Sequence, residues 1–133
     1  MLDDFVPDDV RLFRKVSRAF VVRDSKTGGR RLSSQAFQNN TNPKTERMSI
    51  LLEDRLACDA IAPESIVAGT ELLLVALRAG FVRLPAQGQS VERTPTAADP
   101  AHGDVVGPKP KSVQNSFARA AEWVVPSEGP DAL

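Results

Sequence analysis

The sequence is poor in aromatic residues, with no tyrosine, one tryptophan and six phenylalanines. Proteins that bind single-stranded nucleic acid stack bases on several aromatic rings, so this class of function is not expected. Seventeen basic and seventeen acidic side chains also cancel, which removes the long-range field that draws a protein to nucleic acid or to an anionic membrane. A local basic patch remains compatible with this neutral total.

Cysteine and long apolar runs are scarce as well. The single cysteine, Cys58, excludes an intramolecular disulfide framework and a zinc site built on several cysteines, which suits a reducing compartment. No apolar run approaches the roughly 20 residues that a membrane-spanning helix needs, and the acidic segment 1–9 lacks the pattern of a signal peptide. We therefore expect a soluble cytoplasmic protein, unless a dedicated secretion system exports it.

The chain does contain enough apolar surface for one core. Hydrophobic residues make up 41% of its 133 residues, which is typical of one domain of ordinary size. We predict a single domain over residues 1–133, with a flexible lead-in at 1–9 and a flexible tail at 126–133.

Alternating and continuous apolar patterns predict a sheet. Residues 10–16 alternate and place Arg14 on the same face as apolar neighbours, and residues 47–54 alternate in the same way. Residues 71–77 are nearly continuous in apolar side chains, which indicates a central strand covered on both faces. Residues 90–94 are typical of a short edge strand.

The remaining segments predict a hairpin and two helices. The turn DSKTGG at residues 24–29 favours a hairpin, and Pro63 favours a short helix over 63–68. Apolar residues recur at helical spacing over 112–125, with Ser112 as the N-cap and Pro126 as the stop. The fold we predict is α+β, a mainly antiparallel sheet covered by this C-terminal helix, with one short additional helix.

Arg14 is the first candidate for a functional site. A guanidinium on an apolar face is costly unless a carboxylate, a ligand or water meets its charge. It is therefore a candidate ligand-binding residue. The alternative is an internal ion pair with Asp54 or Glu71.

Ser33 and Ser34 follow Arg30 and Arg31 and are the second candidates. Their hydroxyls are suited to an anionic ligand whose charge the arginines balance. The same pattern is typical of a cap on a short helical turn over residues 35–37. The polar loop that follows, residues 38–46, is too poor in apolar residues to fold alone and is expected to be mobile.

His102, the only histidine, follows Asp99 and Pro100 and precedes the strand-like segment GDVVG. This position suits a general base, a phosphate donor or a metal ligand. The alternative is a structural histidine whose ring nitrogen bonds a loop carbonyl. We expect no metal site, because no recognisable spacing links His102 to Cys58 as zinc ligands. The signal for a serine nucleophile paired with His102 is also weak, because no G-x-S-x-G motif is present.

Two weaker candidates remain. Cys58 has no neighbouring base and is expected to be a buried or incidental thiol. The segment GPKPK at residues 107–111 sets two lysines before a helix N-terminus, which suits a phosphate, although two prolines also make a rigid connector. No phosphate-binding loop or dinucleotide motif occurs, and we expect no cofactor.

The order of the segments LFRKV, RRLSSQAF, MSILL, DPAHGDVVG and AAEWV resembles a class of small bacterial proteins with no assigned activity. The resemblance covers most of the chain, and SSQAF, MSI and DPAH are its most specific parts. It implies no reaction. It does imply that residues in those segments share one region: Arg14, Ser33, Ser34, Phe37, Met48, Ser49, Asp99, Pro100 and His102.

Three functional hypotheses follow. The first is a small cytoplasmic binding or accessory protein that recognises a protein partner or a small anionic ligand. The second is an enzyme acting on a nucleotide or phosphoester, with Arg14 holding charge, Ser33 or Ser34 positioning the substrate and His102 acting as acid or base. The third is a toxin-type effector or its immunity partner.

Overall fold

A six-stranded antiparallel sheet forms the centre of the protein. The computed structural model describes residues 2–41 and 44–133. In order across the sheet the strands are β6 (Ser90–Arg93), β7 (His102–Val106), β4 (Arg47–Leu52), β1 (Arg11–Val16), β5 (Leu73–Arg78) and β8 (Glu122–Val125). Every neighbouring pair is antiparallel. The predicted α+β fold with a mainly antiparallel sheet is confirmed, and β6 lies at an edge as predicted.

The predicted hairpin is present as a separate two-stranded sheet. Its strands are β2 (Val21–Arg23) and β3 (Arg30–Leu32). The turn between them closes through main-chain hydrogen bonds between Asp24 and Gly29 of 2.7 Å and between Gly28 and Asp24 of 2.8 Å. Gly28 has φ of 78°, a conformation that favours glycine.

The C-terminal helix covers one face of the main sheet but is shorter than predicted. Helix α3 (Lys111–Ala120) begins after Pro110, so Ser112 lies in its first turn and is not the N-cap. The predicted continuation to Val125 is wrong, because Ala121 adopts an extended conformation and β8 follows it. Pairing β8 with β5 satisfies backbone groups along that strand, and this outweighs the helical spacing of the apolar residues.

Shorter helices connect the strands. Helix α1 (Glu53–Cys58) follows β4 directly, so the strand predicted to reach Asp54 ends at Leu52. Helix α2 (Ala79–Val82) occupies the bend after β5, and the predicted helix at residue 63 is a 3₁₀ helix, Pro63–Ile66. Three other 3₁₀ helices span Arg18–Phe20, Ser34–Phe37 and Pro130–Ala132.

The two faces of the sheet carry separate apolar clusters. On the α3 face, Phe117 is fully buried and its ring meets that of Phe37 edge-on, with centroids 6.0 Å apart. Such pairs add about 1 kcal/mol to the transfer free energy of burial. On the opposite face, Phe13 is the largest buried side chain, beside Leu51 and Leu74.

Both ends of the described chain contact the body of the protein. Val6 is fully buried in the larger cluster. In the tail, Asp131 accepts a hydrogen bond from the Arg30 main chain at 2.9 Å, and the Leu133 carbonyl accepts one from the Arg30 side chain at 2.7 Å. Within the described residues, no helix is long and apolar enough to span a membrane.

Candidate functional site

A cleft opens where two central strands separate. The ladder between β1 and β4 consists of Leu12 with Leu52 and Phe13 with Leu51, although β1 continues along β5 to Val16. Beyond Phe13 the two strands diverge, and two adjoining cavities of about 650 and 240 Å³ occupy the space. The two cavities share three lining residues, each from a different strand: Arg14, Ser49 and His102. We call this space the β1–β4 cleft.

Arg14 fills the point of divergence and donates to main-chain carbonyls. Its Nη1 bonds the Ser49 oxygen at 2.8 Å, its Nε bonds the Ala36 oxygen at 3.1 Å, and its Nη2 makes a long contact of 3.5 Å with Gln38. Because the ladder has ended, the Ser49 carbonyl is available to receive the guanidinium. The predicted need of Arg14 for a polar partner is thus met by backbone oxygens.

The charge of Arg14 has no carboxylate beside it in the part of the chain that the structure describes. The alternative ion pair with Asp54 is not formed, because Asp54 pairs with Arg93, and Glu71 interacts instead through its carbonyl with Arg18. Burial lowers the pKa of Arg14, but an arginine stays protonated. The cleft therefore contains one positive charge stabilised only by carbonyl dipoles.

His102 lies on the other side of the cleft with its ring held in place. It pairs with Leu51 at the start of β7, and its Nδ1 lies 2.8 Å from the Thr94 hydroxyl. Its main chain bonds Asp99 on one side and Thr94 on the other. The ring thus bonds a hydroxyl rather than the predicted loop carbonyl. Its other nitrogen, Nε2, has no hydrogen-bond partner in residues 2–41 and 44–133.

Two polar side chains complete the cleft: Ser49, which the resemblance groups with Arg14 and His102, and Asn40, which the sequence did not mark as a candidate. Asn40 donates its amide to the Ser49 hydroxyl at 3.3 Å, and its main chain bonds Arg47 and Thr45. Ser49 points to the same face as Asp104, its partner on β7. Asn40 lies in the predicted polar loop 38–46, of which residues 42 and 43 are outside the described residues. Isolated amides in such a loop give no local signal for a site.

Two acidic residues line the cleft, Asp104 in the larger cavity and Asp99 in the smaller one, and Asp104 is already paired. Asp104 is buried, and its carboxylate lies 3.2 Å from Arg47, which also contacts Glu92 at 3.1 Å. The hydrogen bond with Glu92, and to a lesser extent the one with Asp104, raises the pKa of Arg47. Asp104 therefore does not offset the charge of Arg14.

A buried lysine lies behind the cleft. The Lys109 ammonium donates to Asn39 and to the carbonyls of Val105 and Gly107, the latter two at 3.0 Å. Burial, together with repulsion from Arg14, lowers the pKa of Lys109 to about 8. Lys109 ties Asn39, which lines the cleft, to the end of β7. It adds a second cation without a contacting carboxylate among the described residues.

Ser33 and Ser34 do not line the cleft. The Ser33 hydroxyl accepts a hydrogen bond from the Gln35 main chain at 3.2 Å, which confirms the predicted cap. Ser34 is buried and accepts a hydrogen bond of 2.6 Å from Lys111. The structure therefore brings Arg14 and His102 to one cavity, while the two serines hold the turn whose carbonyls Arg14 contacts. Lys111, from the GPKPK segment, is engaged by this contact.

The other residues named with these candidates are distributed as follows. Asp99 lines the smaller cavity with His102, and Ser49 lines both cavities. Phe37 and Met48 are fully buried in the larger apolar cluster. Cys58 is exposed at the end of α1, so its thiol is not buried.

The cleft offers a guanidinium, an oriented imidazole, neutral hydroxyl and amide groups, and two carboxylates, of Asp99 and of the paired Asp104. This combination can bind a carboxylate or a phosphate through charge and hydrogen bonds, and the imidazole can exchange a proton with a bound molecule. Comparison of the chain with protein-family models, with curated proteins and with solved structures gives no match.

Proposed function

We propose that the protein is a small cytoplasmic binding or accessory protein that holds a small anionic ligand in the β1–β4 cleft. One observation carries this proposal: the half-buried guanidinium of Arg14 lines the cleft without a carboxylate partner among the described residues. Burying a charge without a counter-ion is costly, and an anionic ligand would offset that cost. The resemblance to small bacterial proteins supports a bacterial source as part of the same proposal.

The ligand we propose carries one carboxylate or phosphate group on a polar body. Its anionic group meets Arg14 and the Nε2 of His102, and its polar body meets Ser49 and Asn40. The larger cavity, about 650 Å³, is within the range of small-molecule sites. Because Asp104 is neutralised by Arg47, it does not repel an anion strongly.

Thermal unfolding with a panel of small anions tests this proposal. Inorganic phosphate, citrate and a nucleoside monophosphate are added in turn, and an anion that binds only the folded state raises the midpoint as its concentration increases. Arg14→Gln should abolish the increase. Arg18→Gln is the matched control, because Arg18 also donates to a carbonyl, that of Glu71 at 3.1 Å, but lies outside the cleft.

A second variant separates ligand binding from folding. Arg14 also connects β1 with β4, so its replacement lowers stability by itself. His102→Gln removes only a ring that is bonded to Thr94, and should also weaken the anion effect. The proposal fails if no anion raises the midpoint, or if NMR shifts induced by the anion lie outside the cleft.

The rival function is an enzyme acting on a nucleotide or phosphoester. It is favoured by one observation, that Thr94 orients the His102 ring at the rim of the cavity that contains Arg14. In this version Arg14 binds the phosphate and His102 acts as acid or base, whereas Ser33 and Ser34 do not contact the substrate. Turnover of a nucleotide that is lost in His102→Ala supports the enzyme. If expression is toxic and His102→Ala relieves it, the toxin-type effector is supported.

A further inference from the structure

The arginines of this protein differ in whether a carboxylate meets them. Six of them form ion pairs with Asp or Glu: Arg11, Arg47, Arg55, Arg78, Arg83 and Arg93. By contrast, residues 18–31 contain five basic residues and one acidic residue, Asp24. In the described residues, none of these five forms an ion pair with an Asp or Glu side chain. The neutral total charge of the chain thus conceals a basic region.

This region borders a groove between the β2–β3 hairpin and α3. The groove has a volume of about 590 Å³. Its rim carries four exposed cations, Lys26, Arg30, Arg31 and Arg119. Its floor is apolar and consists of Leu32, Ala118, Ala121 and Trp123. We call it the basic groove.

The cations of the rim have few internal partners. The Arg30 side chain bonds the Leu133 carbonyl at 2.7 Å, and Arg31 makes a long contact of 3.4 Å with the Leu32 carbonyl. The nearby carboxylates of Asp24 and Asp131 accept main-chain hydrogen bonds, from Lys26 and Arg30 respectively. The rim therefore keeps an excess of positive charge and unused guanidinium N–H groups.

We propose that the basic groove is the docking surface for an acidic peptide segment of a partner protein, with an apolar side chain between its carboxylates. The rim attracts and orients the carboxylates, and the apolar floor around Trp123 receives the apolar side chain. This surface is separate from the β1–β4 cleft, so the proposal does not depend on the proposed ligand.

The apolar floor favours a peptide over a nucleic acid. A nucleic acid would need a field that extends beyond the groove and several rings for its bases, whereas the chain is neutral overall and has one tryptophan. A peptide needs only a short basic rim and one apolar pocket.

Fluorescence anisotropy with a labelled synthetic peptide tests this proposal. In the probe, acidic residues flank one phenylalanine on both sides. Binding in the micromolar range is expected, and it should weaken at least about tenfold in the double variant Arg30→Glu and Arg31→Glu. The double variant Lys15→Glu and Lys44→Glu is the control: it changes the net charge equally, and both lysines are exposed, lie outside the groove and form no ion pair among the described residues. It should retain most of the binding.

Additional arms identify the occupant. Arg119→Glu, an exposed change on α3, should also weaken binding, and it keeps the proposal testable if the hairpin variant alters the fold. A peptide with serine in place of phenylalanine should bind more weakly. The proposal is overturned if neither groove variant weakens binding, if the serine peptide binds equally well, or if oligothymidine displaces the peptide at lower concentration. Self-association that is removed by Asp3→Lys and Asp4→Lys would assign the groove to a second copy and also overturn it.

Discussion

Two half-buried arginines show how differently this fold treats the same side chain. At the corner between β6 and α1, Arg93 forms a two-pronged ion pair with Asp54, at 2.9 and 2.6 Å. In the β1–β4 cleft, Arg14 has only carbonyl partners. The Asp54 hydrogen bond raises the pKa of Arg93 and lowers that of Asp54, whereas burial lowers the pKa of Arg14.

The difference separates a structural charge from one that is available for binding. Arg93 also donates hydrogen bonds to the carbonyls of Asp3 and Phe5, and these attach segment 1–9 to the sheet. The charges of Arg93 and Asp54 neutralise each other. Arg14 holds two segments of backbone but leaves a net positive charge in the cavity. An anionic ligand would find no free positive charge at the corner, whereas in the cleft it would meet the charge of Arg14.

Removing the carboxylate at the corner should have the largest effect. Asp54→Ala leaves the half-buried Arg93 charge unpaired and should lower the free energy of unfolding by about 3 kcal/mol, measured by urea denaturation. Asp59→Ala, one residue past the end of the same helix, removes an exposed pair with Arg55 and should cost about 0.5 kcal/mol or less. Equal losses in the two variants would contradict the structural role of the corner.

Lys109 extends the comparison to pH. Its folded-state pKa of about 8 is below the ordinary 10.5, so the unfolded chain binds more protons between these values. The contribution of Lys109 to stability should therefore rise with pH across this window, by about 2 to 3 kcal/mol. Below about pH 8 it should be constant. Urea denaturation of wild type and Lys109→Met across the window measures the difference, and parallel pH profiles would contradict the buried, uncompensated lysine.

A carboxylate placed in the cleft should make it resemble the corner. Ser49→Asp introduces a negative charge into the cleft that Arg14 lines and should abolish the increase in thermal midpoint that small anions cause. The net change in stability should stay within about 1 kcal/mol, because the new attraction offsets the cost of burying the carboxylate. Ser49→Asn, which adds no charge, is the control. If anions stabilise both variants equally, the charge of Arg14 does not select the ligand.

The smallest effect on anion binding should mark the boundary of the site. Ser33→Ala removes the cap of the 3₁₀ helix Ser34–Phe37 and should cost about 1 kcal/mol of unfolding free energy. Because Ser33 lies outside the cleft, anion affinity measured by calorimetry should stay within about twofold of wild type. A much larger loss of affinity would extend the site to the serines.

Local sequence patterns predicted the elements whose conformation does not depend on a distant partner in the fold. The alternation in β4 and the serine cap are local signals, and both are confirmed. The end of α3 was not predictable in this way, because Val124 keeps helical spacing while its segment pairs with β5. Tertiary pairing overrides a pattern that fits both structures.

The site was predictable only in part for the same reason. Arg14 was identifiable because a charged residue interrupts an apolar face, and His102 because it is the only histidine. The divergence of β1 from β4, which creates the cavity, has no signature in either strand. The contact of Lys111 with Ser34 joins residues distant in sequence, so the engagement of that serine was also hidden.

The central position of β1 also governs how the chain must fold. Leu12 pairs with Leu52, and Arg11 with Arg78, so β1 has no partner in its own neighbourhood of the sequence. Both pairings require long loops to close before any strand contact repays the lost chain entropy. A fold of such high contact order is expected to form in milliseconds to seconds rather than microseconds. Until β5 pairs with it, β1 is an apolar segment with an unpaired edge. The rate of this pairing therefore determines how long β1 can aggregate with other chains during folding.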